Sequence, residues 1–597
     1  MPQWAGSTLL DVKACHVGAE RGVTVVRTGV VRYATVIAWL GVGVLGNGMP
    51  ALRAQGASAL TGTVRSATEG AMEGVLVTAR RDGAAFDVTV VSDAKGRYSF
   101  PRTHLHEAGR YALRIRAAGF DLASPGAVEL TAGKTATLDL RLEPAKDVAS
   151  QLSSAEWLLN VPGTDEQKSM VQRQIQSCTY CHSMERIIRS KHTAEQFVPV
   201  ITRMQKYYPD GSAVGTETPA RGRARFTLKE RQDMAEKADS WGVSPGVKKT
   251  DLAAYLATIN LSGGRTLPAT FRTLPRPTGK ATRVIVTQYD MPRRDTVPHD
   301  SDMDHLGNVW YTDQSDYFVG RFDPKTATFK EWPLPKASTH AFGGGSDVAV
   351  DKLGRPWFNV TSDKVSGHFG VTGVFDPKTE KYEFMDFGLT YYPQFNALAP
   401  DGSLISGYLK IDVNQKKLLD NFDYYNAPDK PAGPHISYEP AMNSKGNWFI
   451  TDFAGSYIVE VDAKTRAITW HKTPTLFSEP RRGRIDDQNR FWFAEYTADN
   501  LAMLDTRTSK ITEWPTGITW SGPYTATVPD LKGRIYSPAG SADRVFRLDP
   551  KTREMVGYLM PTKDFDVKQA SVDPVGRKAI WMANVRNARL VKIEPLD

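Results

Sequence analysis

The sequence predicts a multidomain chain. It reads as a small antiparallel β-sandwich, an all-α domain and a seven-bladed β-propeller whose last blade is closed by an N-terminal strand. Three observations carry this. Residues 58–144 alternate apolar and polar positions in short runs, residues 155 to about 261 switch to helical spacing, and the remainder repeats itself seven times. At 597 residues and 66.0 kDa the chain exceeds what one core organises.

The first domain, 58–144, is built from ALTGTVRS, GVLVTARR, FDVTVVSD, GRYSFPRT, RYALRIRAAGF and TATLDLRLEP, punctuated by Gly and DAKG turns. Period two between turn residues is the pattern of antiparallel strands with one face buried. The succession GVLV, SDAKGRYSF, GRYALRIRAAGF resembles the carboxypeptidase regulatory-like domain. That resemblance implies an immunoglobulin-like, carbohydrate-binding-like fold without catalytic residues. A structural spacer and a sugar- or surface-attachment module are its two readings.

The second domain, 151–265, contains DEQKSMVQRQIQSC, AEQFVPVITRMQKYY, LKERQDMAEKADSW and KTDLAAYLATI, each with apolar residues three and four apart. Thr250 and Asp251 supply a capping signal for the last helix. A Pro-rich linker, 266–282, follows.

The third domain, 283–597, repeats GNVWYTDQSDYFVGRFDPKTATFKEWPLP from Gly307 onward. Its anchors Trp310, Trp357, Ile405, Phe449, Trp492, Tyr536 and Trp581 recur about every 45 residues, the period of four-stranded propeller blades. The seventh repeat lacks its last strand. VIVTQYDMP, Val284 to Pro292, supplies it from the other end and leaves no open edge. Asp323, Asp376, Asp505 and Asp549 open D-x-K/R-T turns between third and fourth strands.

Arg27 and Arg32 precede the apolar stretch Ala34 to Gly48, the layout of an export signal cut near Ala54 within the region 1–54. The long preceding segment places the translation start near Val26. Cleavage removes Cys15, so the mature protein has two cysteines, Cys178 and Cys181, and no transmembrane helix. It is read as periplasmic or exported. The net charge of +9 is dispersed and no basic run interleaves with aromatics, which excludes nucleic acid as a partner.

Those two cysteines stand in CTYCH, residues 178–182. C-x-x-C-H attaches haem c: two thiols reach the porphyrin and His182 ligates iron. A zinc site needs further ligands, and His192 alone leaves it short. A thioredoxin-like disulfide needs a preceding strand, whereas Gln167 to Gln176 is helical. The segment Gln167 to Ile259 resembles a small monohaem cytochrome c, which implies Tyr255 and Leu256 packed on the leading helix. It also implies a methionine sixth ligand. Met204 takes that role, Met234 is the alternative, and Met184 lies too near His182. A His/Met iron moves single electrons.

The G-N-x-W-F-T-D/E and G-R-F/L-D-P-K-T repeats resemble the virginiamycin B (streptogramin) lyase propeller, whose elimination is metal-assisted. That resemblance places Glu479 and Glu495 at two of its carboxylates, but Arg481 stands where its histidine base belongs. Overlaying the repeats puts His299, Asp300, Asp347, Gln394, Glu439, Arg481 and Tyr524 at first-strand starts. Asp313, Tyr408, Asp452, Glu495 and Asn584 fall at second-strand ends. His299, Asp300 and Asp313, with Asp302 and His305 nearby, form a candidate site for Mg²⁺ or Ca²⁺. Strand alternation sends only some of these inward. The alternative reads the acids as turn residues and exposed caps.

Three functions remain. One is a haem electron-transfer protein or dehydrogenase, with another cytochrome or dehydrogenase as redox partner and a propeller that takes a small polar or carbohydrate substrate or a protein partner. The second is a metal-dependent lyase with an accessory cytochrome. The third is a redox or carbohydrate-binding scaffold. Quinone-cofactor propellers have eight blades rather than seven. The candidate catalytic residues are Glu479, Arg481, Glu495 and His299. The cofactor residues are Cys178, Cys181, His182 and Met204.

Overall fold

The computed structural model describes residues 57–597 apart from 173–177, 180–181, 208–247, 314–317, 336–346, 361–370, 388–395, 423–426, 428, 433–434, 436 and 454, and only the backbone of 203–207. The export segment with Arg27, Arg32 and Ala54, together with Cys15, Cys181, Met234 and Gln394, lies outside the described residues. Among the described residues no helix is long and apolar enough to cross a membrane.

The sandwich forms from the predicted runs, and its two sheets enclose a core that includes Leu60, Val77, Phe100 and Leu113. One sheet centres on Ser58–Ser66, which pairs in parallel with Leu140–Pro144 and antiparallel with Arg97–Pro101. The other sheet does not stop at the domain boundary. Phe86–Val91 pairs antiparallel with Val284–Asp290, Val286 opposite Thr89 and Tyr289 opposite Phe86. Val284–Asp290 in turn pairs along its whole length with Arg589–Pro595. A single sheet of eight strands therefore runs from the sandwich into the last propeller sheet. Asp87, fully buried at this seam, faces Arg114 at 2.8 Å and Arg589 of the closing strand at 3.3 Å. Through this pairing the domain covers the outer edge of the closing strand.

Among the described residues the propeller-like region has five four-stranded antiparallel sheets, one three-stranded sheet, and the four strands that end the eight-stranded sheet. Its aromatic anchors are fixed by a bond that recurs from sheet to sheet. Trp310, Trp357 and Trp492 each donate Nε1–H to the aspartate six residues earlier, Asp304, Asp351 and Asp486, at 3.0, 2.9 and 2.8 Å. Tyr536 does the same toward Asp530 through its hydroxyl. Each aspartate also accepts backbone N–H groups of its own hairpin turn, so one carboxylate ties the turn to the core. The later D-P-K-T turns behave as expected, Asp323 accepting from Lys325 N and Asp549 from Lys551 N at 2.9 Å. Apolar cores lie between successive sheets. One of them joins Met303, Tyr311 and Phe322 to Trp581 and Leu590, so the last sheet packs against the first.

In the three-stranded sheet the innermost position is held by residues 523–527. They make one bridge, Pro523 to Ala539, with Tyr524 N donating to Pro538 O at 2.9 Å and Thr527 N to Tyr536 O at 3.0 Å.

The helical segment begins where the spacing changes, with Ser154–Asn160 capped by Ser153 and Glu156 in a reciprocal box. Asp165–Gln172, Met184–Ile188, Ala194–Tyr207 and Lys249–Ile259 follow. The Thr250–Asp251 capping signal is not used: the last helix starts at Lys249 with Lys248 at its N-cap and no side-chain cap. Tyr255 and Leu256 bury against Val171 of the leading helix, as expected. Tyr255 lies over Gly163, where a Cβ would sit 2.7 Å from its ring and φ is +119°. That close approach and that backbone conformation both require glycine.

Candidate functional site

Three first strands start irregularly, and this decides what reaches the propeller centre. Register shifts fall between Pro298 and Ser301, between Ser437 and Pro440, and between Pro480 and Gly483. A bulge re-aims side chains that alternation would send to opposite faces. Both members of His299–Asp300 and of Arg481–Arg482 are consequently buried, and Glu439 with them. Asp300, Asp347 and Glu439 are buried, which corrects their reading as exposed caps, while Asp302 and Asp313 are engaged elsewhere.

Arg482 lies between two acids, Nη1 donating to Asp300 Oδ2 at 2.7 Å and Nη2 to Asp347 Oδ1 at 2.9 Å. His299 Nδ1 is 3.0 Å from Asp300 Oδ1. Burial opposes ionisation of Asp300, but Arg482 and His299 hold its carboxyl below the usual range. Burial and the adjoining Asp300 charge raise Asp347 to about 6 against the pull of Arg482.

His299, Asp300 and Asp347 bring potential metal-ligand atoms within 4.8 Å of one another. Their donor types suit a divalent ion, yet the guanidinium of Arg482 bonds two of the three and supplies the positive charge itself. The set does not fit a metal with Arg482 in place. Asp313 is not part of it. Its carboxylate accepts from Arg293 at 2.6 Å and from Val297 N at 3.0 Å. Asp302 instead accepts from Val350 N at 2.9 Å.

Arg481 is enclosed by aromatic rings, its guanidinium carbon 3.7 Å from the Tyr496 centroid, 4.6 Å from Phe453 and 4.7 Å from Tyr524. A cation held over several ring faces is stabilised by their quadrupoles. The Tyr438 and Tyr524 hydroxyls meet in a hydrogen bond. Glu479 is buried on a left-handed backbone, φ +51°, and its carbonyl accepts from Tyr496 N. Glu495 is buried beside it across the Pro480–Glu495 pair. Burial and the neighbouring Glu513 push the Glu495 carboxyl well above its usual range, while Asn500 donates to it at 2.9 Å. Glu513, not selected from the sequence, is tied by Thr475 N at 2.9 Å.

The other positions diverge. Asp452 accepts from His435 at 2.6 Å, Tyr408 packs at an apolar core, and Asn584 accepts from Asp566 N. Lys568, also missed, is buried with its ammonium 2.9 Å from both oxygens of Asp566.

The C-x-x-C-H segment sits at the edge of the helical core. Cys178 is partly exposed and packs on the cluster containing Met184 and Trp157. His182 Nδ1 lies 3.0 Å from Ser183 O. The backbone of Met204 is in the Ala194–Tyr207 helix.

Four contacts seat this segment on the propeller-like region. Gln172 donates to Trp520 O at 2.9 Å, Thr179 meets Ser541 at 3.5 Å, Arg586 donates to Thr179 O, and Lys563 pairs with Glu185 at 2.5 Å. Trp520, at φ +65°, buries in the helical core itself. Arg586 also stands 3.4 Å from Asp566. A run of polar contacts thus passes from Thr179 through Arg586 and Asp566 to Lys568.

Residues 59–143 match the carboxypeptidase regulatory-like domain family. No curated protein matches the chain. Among solved structures, the chain is similar to virginiamycin B lyase from Staphylococcus aureus at 16% identity, covering 52% of this chain and 99% of that one, with a TM-score of 0.44. A streptogramin B lyase structure has 15% identity, 53% and 99% coverage and a TM-score of 0.45. The extracellular domain of a putative one-component system from B. thetaiotaomicron has 13% identity, 50% and 40% coverage and a TM-score of 0.37.

Proposed function

We propose that the chain is an exported haem c electron-transfer protein. In this reading residues 151–265 form a monohaem cytochrome c domain, residues 283–597 a seven-bladed propeller, and the signal is cut near Ala54. The propeller centre takes a small polar substrate or a partner group, and electrons pass between the haem and a separate redox protein.

One observation carries this reading. The C-x-x-C-H segment rests on the propeller-like region through Gln172, Thr179 and Arg586, and Arg586 leads through Asp566 to the buried ionisable centre. The donor set fits haem c: two thiols for the porphyrin and one imidazole for the iron. His182 Nδ1 lies against the Ser183 carbonyl, a contact that orients the imidazole ring. Met204 is assigned as the sixth ligand, with Met234 as the alternative. When bound, haem supplies one-electron carriage. The chain's own residues hold the attachment segment, exclude water from the helical core and keep counter-charges beside the centre.

The lyase reading loses support at Arg481, a permanently charged residue that cannot act as a base at neutral pH. Haem staining after denaturing electrophoresis tests the proposal: a covalently stained band at the mature size supports it, and an unstained band refutes it.

A further inference from the structure

We propose that Tyr524 is the acid–base group of the propeller centre, held as a phenolate that takes the proton of a hydroxyl-bearing substrate. This rests on the reading that the centre receives a small polar substrate.

Three cations surround its ring. Lys568 Nζ lies 4.6 Å from the ring centroid, and the guanidinium carbons of Arg481 and Arg482 lie 4.7 and 5.8 Å away. Arg481 and Arg482 lie on the strand Pro480–Ile485 and Lys568 in the segment before Ala570–Val572, so the cluster does not depend on one hairpin. Burial by itself raises a phenol, and the three cations at this range act against it by favouring the anion. Tyr524 is 3% exposed, and its main chain is fixed on both sides, N to Pro538 O and O from Arg482 N.

The Tyr438 hydroxyl is the natural donor to Tyr524. Burial and the proximity of Tyr524 keep the Tyr438 proton bound well above the ordinary range. A hydrogen bond given to a charged oxygen stabilises it further. The charged groups nearby are Asp566 and Arg586 beside Lys568, Asp300, Asp347 and Glu439 beside Arg482, and Glu479 near Arg481. Tyr496 adds a ring edge at 6.1 Å and no charge. In the proton transfer the substrate O–H bond breaks and its hydrogen goes to Tyr524 Oη, leaving an alkoxide beside the cations.

The test is an ultraviolet difference titration of the full-length protein and its Tyr524→Phe variant, read at the tyrosinate band. The proposal expects one phenol step below the ordinary tyrosine value of about 10, absent from Tyr524→Phe and moved upward in Lys568→Met. Curves that superimpose below that value overturn it. So does a step that survives Tyr524→Phe but disappears in Tyr438→Phe. Because the titration needs neither haem nor substrate, an unstained preparation refutes the cytochrome reading without deciding this one.

Discussion

Arg482 donates to Asp300 across 2.7 Å of closed interior, between residues 182 apart in sequence. The contact joins the strand Pro480–Ile485 to the strand Pro298–Met303. With Asp347 as second acceptor, one guanidinium serves two buried acids. Replacing Arg482 by Met leaves two buried acids facing each other, and breaking such a pair costs about 3–5 kcal/mol. Urea denaturation measures this. Adding Asp300→Asn and Asp347→Asn to Arg482→Met is expected to recover much of the loss. An Arg482→Met protein as stable as the parent contradicts the ion-pair role.

A pH dependence follows from the loop that clamps the helical domain. Asp499 accepts from Trp520 N at 2.7 Å, Ser521 Oγ at 2.8 Å and Gly522 N at 3.0 Å. Burial, against those hydrogen bonds, raises its carboxyl from 3.8 to about 6. The folded protein holds this proton more tightly than the unfolded chain. Its contribution to stability is therefore full below the unfolded value and is lost as pH rises toward the folded one. Thermal melts across that window are expected to show Asp499→Asn gaining on the parent as pH rises, with a constant difference above it. A difference that does not change with pH contradicts the assignment.

The sheet shared by sandwich and propeller makes a kinetic prediction. Strands in one cooperative sheet open together. Amide exchange in Phe86–Val91 is expected to match that in Val284–Asp290 and Arg589–Pro595 and to lie among the slowest in the chain. Fast exchange of Phe86–Val91 beside slow exchange of the other two contradicts a continuous unit.

Much of this architecture was legible because it repeats. An aspartate six residues before Trp310, Trp357, Trp492 and Tyr536 marks the inner hairpin, and the missing strand of the last repeat shows up as VIVTQYD ahead of the first. Cys178 and His182 stand out in the sequence because few chemistries use that spacing, and the haem they imply belongs to the proposal. The bulges were not, since Pro298, Pro440 and Pro480 carry no period of their own, yet they bury neighbours that strict alternation would separate. Nor was the choice of Asp347 over Asp313. Asp313 ends a second strand and Asp347 precedes a first strand, and Arg293, from a separate loop, claims Asp313. Pairing of Phe86–Val91 with Val284–Asp290 left no trace either, because two alternating edges read alike whether or not they meet.

The central claim is that covalent haem joins the helical domain through Cys178 and Cys181. Its most direct measurement is the absorption spectrum of protein exported from a host equipped for cytochrome maturation, before and after denaturation. The account predicts a Soret band that stays with the denatured chain and is lost in the Cys178→Ala, Cys181→Ala double variant. A purified parent protein with no Soret band, or with a band that washes away on denaturation, contradicts it.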